Sequence, residues 1–166
     1  DVLYDLAFLL MDLQHRGLRG LANIALNKYL DMRGDYGGLG AMGLFLSCRA
    51  AVRAHVEALQ TVPGAGDNAF AVGEARAYLE LAIGYLDPPT PRLVALGGLS
   101  GTGKSVLAEA LAPDFGPHSG AVVIRSDVIR KQLAGVAPDS RLGPESYNDD
   151  MNRKVYERMC RVAGDV

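Results

Sequence analysis

Two rhythms of hydrophobic and polar positions run along this chain. Over residues 1–86 apolar side chains recur at three- and four-residue intervals, the period of a helix. Val2, Leu3, Leu6, Ala7, Leu9, Leu10 and Leu13 cover most of a helix circumference and predict a buried first helix. Leu18, Leu21, Ala22, Ile24, Ala25 and Tyr29 give a second helix an apolar stripe, and "RGDYGG" after it reads as a turn. A third helix is predicted over residues 39–59, with Arg49, Arg53 and Glu57 repeating at four-residue spacing on one solvated side. "TVPGAGDN" breaks the pattern, and Asp67 or Asn68 can cap a fourth helix running through Tyr85. No strand-like alternation interrupts this half, which predicts an all-helical unit.

The rhythm changes at "DPPTP", residues 87–91. Proline fixes its own backbone and disfavours helix at the residue before it, so a stiff linker is expected between a helical segment (1–86) and a second unit (92–166). In that unit "RLVAL" and the β-branched "AVVIR" read as strands alternating with helices. The expected fold class is an α/β P-loop NTPase with a partial parallel sheet, preceded by the helical segment. Two strands are few for such a sheet, and a later strand bearing an acid and a basic lid is not visible after Val136. The absence of an opening Met and the lack of a final stop signal suggest a fragment of a longer protein.

Composition narrows the class without naming a chemistry. In 166 residues, 49% hydrophobic and 22% charged positions are those of an ordinary soluble protein with a real core. A net charge of -2 argues against a broad nucleic-acid surface but allows a local basic pocket. Cys48 and Cys160 lie far apart with no C-x-x-C pattern, and no signal peptide opens the chain, so a cytoplasmic location is expected. The apolar runs "LAFLLM" and "GGLGAMGLFLSC" fall short of the roughly 18 to 20 residues that span a bilayer. His15, His55 and His118 lack zinc-ligand spacing and read as surface or loop residues.

The candidate chemistry begins at "GGLSGTGKS". Gly98, Gly103, Lys104 and Ser105 fit the G-x-x-x-x-G-K-S/T phosphate-loop template between an apolar run and a helical pattern. Glycines let backbone N–H groups converge on phosphate oxygens, and the next helix points its positive end at the same anion. Lys104 is expected to reach the β- and γ-phosphates of ATP, and the Ser105 hydroxyl to ligate Mg²⁺. Ser100, Gly101 and Thr102 complete the binding turn.

"RSDVIRKQL" follows the second apolar run. Asp127 and Arg130, three apart on one helical face, could take a proton from an attacking hydroxyl and hold an anionic substrate group. Arg125 and Lys131 add positive charge. The plainer alternative is a helix capped by Ser126 or Asp127, with Arg130 solvated. Further on, Asn148 and Asp149 are capping candidates for a last helix with a Met151, Val155, Met159 and Val162 stripe. Asp149, Asp150, Arg153 and Lys154 read as its acid-rich start and charged face. Tyr147 could line a substrate pocket.

"GGLSGTGKS" followed by "RSDVIRKQLAGV" resembles the P-loop kinases grouped with AAA-type ATP-binding proteins, whose relatives include polynucleotide kinase, zeta-toxin and gluconate kinase. The resemblance implies general-base work for Asp127 and a substrate-phosphate contact for Arg130, over residues 93–136. "DVLYDLAFLLMDLQHRG" and "LFLSCRAAVRAHVEA" resemble the last helices of an aminoglycoside-phosphotransferase-like domain that precedes such a P-loop domain in bacterial two-part proteins. That family's catalytic acids lie upstream of these helices, so Asp5 reads as structural and the first half as a scaffold. The expected activity is ATP- and Mg²⁺-dependent transfer to a hydroxyl of a small molecule or a nucleic-acid end. A regulatory ATPase module and a non-enzymatic scaffold with a degenerate nucleotide site stay open, as does the oligomeric state.

Overall fold

A computed structural model describes residues 2–60, 68–99 and 101–166. Four helices build the first half: α1 (Val2–His15), α2 (Arg19–Arg33), α3 (Met42–Leu59) and α4 (Asn68–Gly84). Three more follow the linker: α5 (Lys104–Leu111), α6 (Ser126–Ala134) and α7 (Asp149–Asp165). Short 3-10 turns at Leu39–Ala41, Ala112–Asp114 and Pro144–Tyr147 join them. The proposed caps of the fourth helix, Asp67 and the Asn68 side chain, lie outside the described residues, as do Asp1 and Ser100.

α1 packs on α2 and α3, α3 lies along α4, and α6 pairs with α7. Of α1's apolar positions only one side is buried, through Leu3, Ala7, Leu10 and Met11, while Val2, Phe8 and Leu9 stay exposed. These residues join Ala22, Leu26 and Leu30 of α2 and Leu46 of α3 in a core that continues into the second half through Ile129, Val155 and Val162. Such a shared core resists dissection, because each buried aliphatic side chain contributes about 1.5–3 kcal/mol. Asn148 caps α7, its side chain accepting from the Met151 N–H at 2.8 Å. Val155 and Val162 of the predicted stripe are buried, and Met151 and Met159 pack beside them. Among the described residues no helix is long and apolar enough to cross a membrane.

The expected α/β fold with a partial parallel sheet is overturned: the described residues contain no strand and no sheet. The "AVVIR" segment instead has its backbone groups met by amide side chains of α2. Asn27 Oδ1 accepts from the Val123 N–H at 2.7 Å. The Ala121 carbonyl accepts from Asn23 at 2.9 Å and Asn27 at 3.1 Å. The "RLVAL" segment runs without regular structure, with Leu93 79% exposed. A strand exists only through a neighbour's ladder, and two isolated strands bury too little to hold one.

The supposedly solvated side of α3 is also corrected. Arg49 lies 3.8 Å over the Tyr4 ring, donates to the Tyr4 carbonyl at 3.1 Å and pairs with Asp5 at 2.9 Å. Arg53 sits over Tyr78 and pairs with Glu57. Long arginine stems cover apolar surface while their heads find polar partners, so the row faces α1 and α4. His15 is likewise largely buried, stacked on Tyr78 and bonded to Glu74 at 2.9 Å. Cys48 and Cys160 are free thiols at the surface.

Candidate functional site

The glycine loop takes the shape its composition allows. Gly98, Gly101 and Gly103 have φ of 149°, 79° and 81°, conformations that cost a residue with a Cβ. Thr102 pins the turn by donating its hydroxyl to the Leu99 carbonyl at 2.8 Å. Gly103 is the N-cap of α5, which places Lys104 and Ser105 at its first two positions. The Lys104 ammonium folds back over the loop, donating to the carbonyls of Gly98 at 2.8 Å and Leu99 at 2.5 Å. These neutral acceptors are ones a phosphate could replace, since charge-assisted bonds are the stronger ones. Ser105 is exposed in the first turn of the helix. The loop residues thus fit a nucleotide phosphate, and Ser105 fits a ligand to a magnesium ion carried on it.

α5 itself is lightly held. It buries no side chain and packs chiefly on the Ala112–Asp114 turn, with Val106 and Leu107 exposed. Beyond the Lys104 bonds to the loop, an ion pair from Glu109 to Arg125 at 3.2 Å ties it to the start of α6.

Arg125 is extended and forms the N-cap of α6. Its guanidinium also pairs with Asp31 of α2, so its charge is already spent on two carboxylates. Asp127, in the first turn of α6, is exposed and pairs with Lys131 at 3.0 Å. Arg130 is buried, donating to the Ser146 carbonyl at 2.8 Å and lying 4.9 Å from the centre of the Tyr147 ring. It fastens α6 to the turn before α7. Among the described residues no hydrogen bond or ion pair joins Asp127 or Arg130 to the loop. The structure therefore gathers Gly98, Leu99, Thr102 and Lys104 in one loop and places Asp127 and Arg130 apart on α6 with separate partners. Glu109 and Arg125 bridge α5 and the start of α6.

Asp150 pairs with Arg153 and Lys154, each at 2.6 Å, and Lys154 foremost holds its carboxyl below the ordinary range. Among the described residues no group of three or more His, Cys, Asp or Glu gathers to hold a metal ion. The three cationic side chains at the α2, α6 and α7 junction (Arg33, Arg158 and Arg161) escaped the sequence reading, because their meeting is tertiary.

Residues 93–166 match the family model described as AAA domain, which supports nucleotide-binding, P-loop character for that part of the chain. The chain is also similar to an uncharacterized protein of Mycobacterium bovis and to uncharacterized proteins of two strains of Mycobacterium tuberculosis. Each is 35% identical over 133 residues, covering 80% of this chain and 25% of the relative. The chain thus spans about a quarter of the length of these relatives, and the similarity reaches beyond the AAA match into the helical half. No solved structure matches.

Proposed function

We propose that this chain carries the ATP-binding part of a phosphotransferase that moves the γ-phosphate to a hydroxyl of a small molecule or a nucleic-acid end. The observation that carries the reading is the Gly98–Ser105 loop, with Lys104 held over the loop carbonyls at the start of α5. The AAA-domain match over residues 93–166 supports it. Bound magnesium would neutralise phosphate charge as the γ-phosphate leaves. Lys104 would exchange its two carbonyl acceptors for phosphate oxygens, the loop N–H groups would orient them, and Ser105 would ligate the metal.

Asp127 is the proposed base, and its pairing with Lys131 sets it beside a cation that an acceptor could displace. Arg130 is proposed to contact the acceptor's phosphate after leaving Ser146. The domain organisation belongs to the same proposal: a phosphotransferase-like scaffold over residues 1–86, a linker at 87–91 and the ATP-binding part over 92–166. A second reading, a nucleotide-binding regulatory ATPase, is favoured by the partners of these two side chains. Arg130 is engaged with Ser146 and Asp127 with Lys131, and among the described residues no hydrogen bond or ion pair joins either to the loop.

Calorimetry with ATP and Mg²⁺ tests binding, which Lys104→Ala should abolish. A screen for γ-phosphate transfer to sugars, nucleosides, aminoglycosides and oligonucleotide ends then separates the readings. For a kinase, Asp127→Asn should remove transfer and leave ATP binding intact. Acceptor-independent ATP hydrolysis that survives Asp127→Asn would favour the regulatory module.

A further inference from the structure

A cavity of about 530 Å³ lies where the end of α2 meets α6 and α7. Arg33, Lys131, Arg158 and Arg161 line it, and Asp31 is the one carboxylate among its walls. Asp31 is taken by Arg125, and Lys131 by Asp127 and the Pro138 carbonyl at 2.8 Å. Among the described residues no carboxylate pairs with Arg33, Arg158 or Arg161. Three uncommitted guanidinium groups around one hollow are unusual in a chain of net charge -2, because like charges held together repel.

Two bland accounts of the arginines fail. The cavity adjoins the C-terminal ends of α2 and α6, where cations often serve free carbonyls. The carbonyls of Leu30 and Asp31 already have partners: Leu30 O accepts from Gly34 N–H at 2.8 Å, and Asp31 O from Gln132 at 3.2 Å. At the end of α6, Gln132 O accepts from Gly135 at 3.2 Å and Lys131 O from Val136 at 3.1 Å. Nor do the arginines lie on one solvated helix face, since they come from two elements, and Arg158 is half-buried. Half-buried Val128 and buried Ile129 supply apolar lining beside them, where attraction for an opposite charge is stronger than in open water.

The geometry points to a second anion site, independent of the glycine loop, in which Arg33, Arg158 and Arg161 hold a small phosphorylated compound. The half-open hollow has the size of a small-molecule pocket and not the length of a stripe that tracks a nucleic-acid backbone. Guanidinium forks match phosphate oxygens two at a time, which explains arginine at all three positions.

The test is calorimetric titration of inorganic pyrophosphate, without magnesium, into the full chain carrying Lys104→Ala, so that the loop contributes little. Binding should persist there and fall about tenfold or more on adding Arg158→Ala with Arg161→Ala. Arg76→Ala, which removes one exposed arginine charge on α4 away from the hollow, should leave it unchanged. Loss of all binding in the Lys104→Ala chain would overturn the site. So would an equal loss in Arg76→Ala, or none in the double variant. If the double variant fails to fold, the exposed Arg161→Ala alone gives the same reading. Hydrogen exchange on the otherwise unaltered Lys104→Ala chain should then show pyrophosphate protecting residues 131–136 and 158–161, and unchanged exchange there would overturn the site.

Discussion

Arg125 and Asp31 form an ion pair across 94 positions of sequence, and the same guanidinium reaches Glu109. One side chain therefore ties α2, α5 and the start of α6. Asp31 is largely buried, so removing its partner strands a carboxylate away from water. Arg125→Ala is expected to cost about 1–3 kcal/mol in urea unfolding. Arg125→Lys should recover less than half of that, because an ammonium cannot serve both acids with a planar fork. A midpoint that does not move in Arg125→Ala would contradict this account.

Asn23 and Asn27 predict a coupled loss. Both donate to the Ala121 carbonyl, Asn23 also donates to the Ser119 carbonyl at 2.8 Å, and Asn27 accepts from Val123. Each change to Ala should cost about 1–2 kcal/mol, Asn23→Ala by leaving the buried Ser119 carbonyl and Asn27→Ala the part-buried Val123 N–H without this partner. Because the two share an acceptor, the double variant should differ from the sum of the singles. A denaturant series on the three variants checks this, and strict additivity would show the amides to act separately.

Gly120 has φ of 80°, and a Cβ there would sit 2.5 Å from Asn23 Nδ2 and 2.7 Å from the Ala112 carbonyl. Gly120→Ala therefore combines backbone strain with a clash against the hydrogen bonds just described. It should destabilise by about 3 kcal/mol, read from the thermal midpoint. Gly135→Ala meets nothing within 4 Å at φ of 67° and should show the backbone strain alone.

Alkaline pH should unfold the chain partly through Tyr85. Its buried phenol donates to Gln14 at 3.1 Å, and burial raises its pKa above the ordinary 10.0. Below about pH 10 the phenol is protonated in both states, and its contribution is fully present. Above that the unfolded chain releases the proton first, so stability falls as pH rises toward the folded value. Tyr85→Phe should cost about 1 kcal/mol at neutral pH and flatten the loss between pH 10 and 12. Tyr36, raised mainly by burial too, should keep the flattening incomplete. An unaltered alkaline slope in Tyr85→Phe would remove Tyr85 from this role.

The helices of the first half were legible because apolar spacing is a local property. The Asn148 cap and the glycine turn were legible for the same reason, each needing only a few neighbouring residues. What the sequence concealed was partnership at a distance. "AVVIR" has strand composition, but Asn23 and Asn27 supply its partners from about a hundred positions away. Arg49 and Arg53 looked solvated until Tyr4 and Tyr78 came beneath them. Arg130 looked free for a substrate, and only the later Pro144–Tyr147 turn brings it Ser146 and Tyr147. The cationic hollow follows the same rule, its arginines coming from α2 and α7, more than a hundred residues apart.

The α2 amides also bear on how this chain can be handled. They act as a surrogate for a neighbouring strand, so residues 119–123 borrow their shape from a helix on the other side of the linker. The proline run at 87–91 marks a change of texture without marking a line of cleavage. Two polypeptides separated there would each carry half of a hydrogen-bonded seam, and each would seek the other.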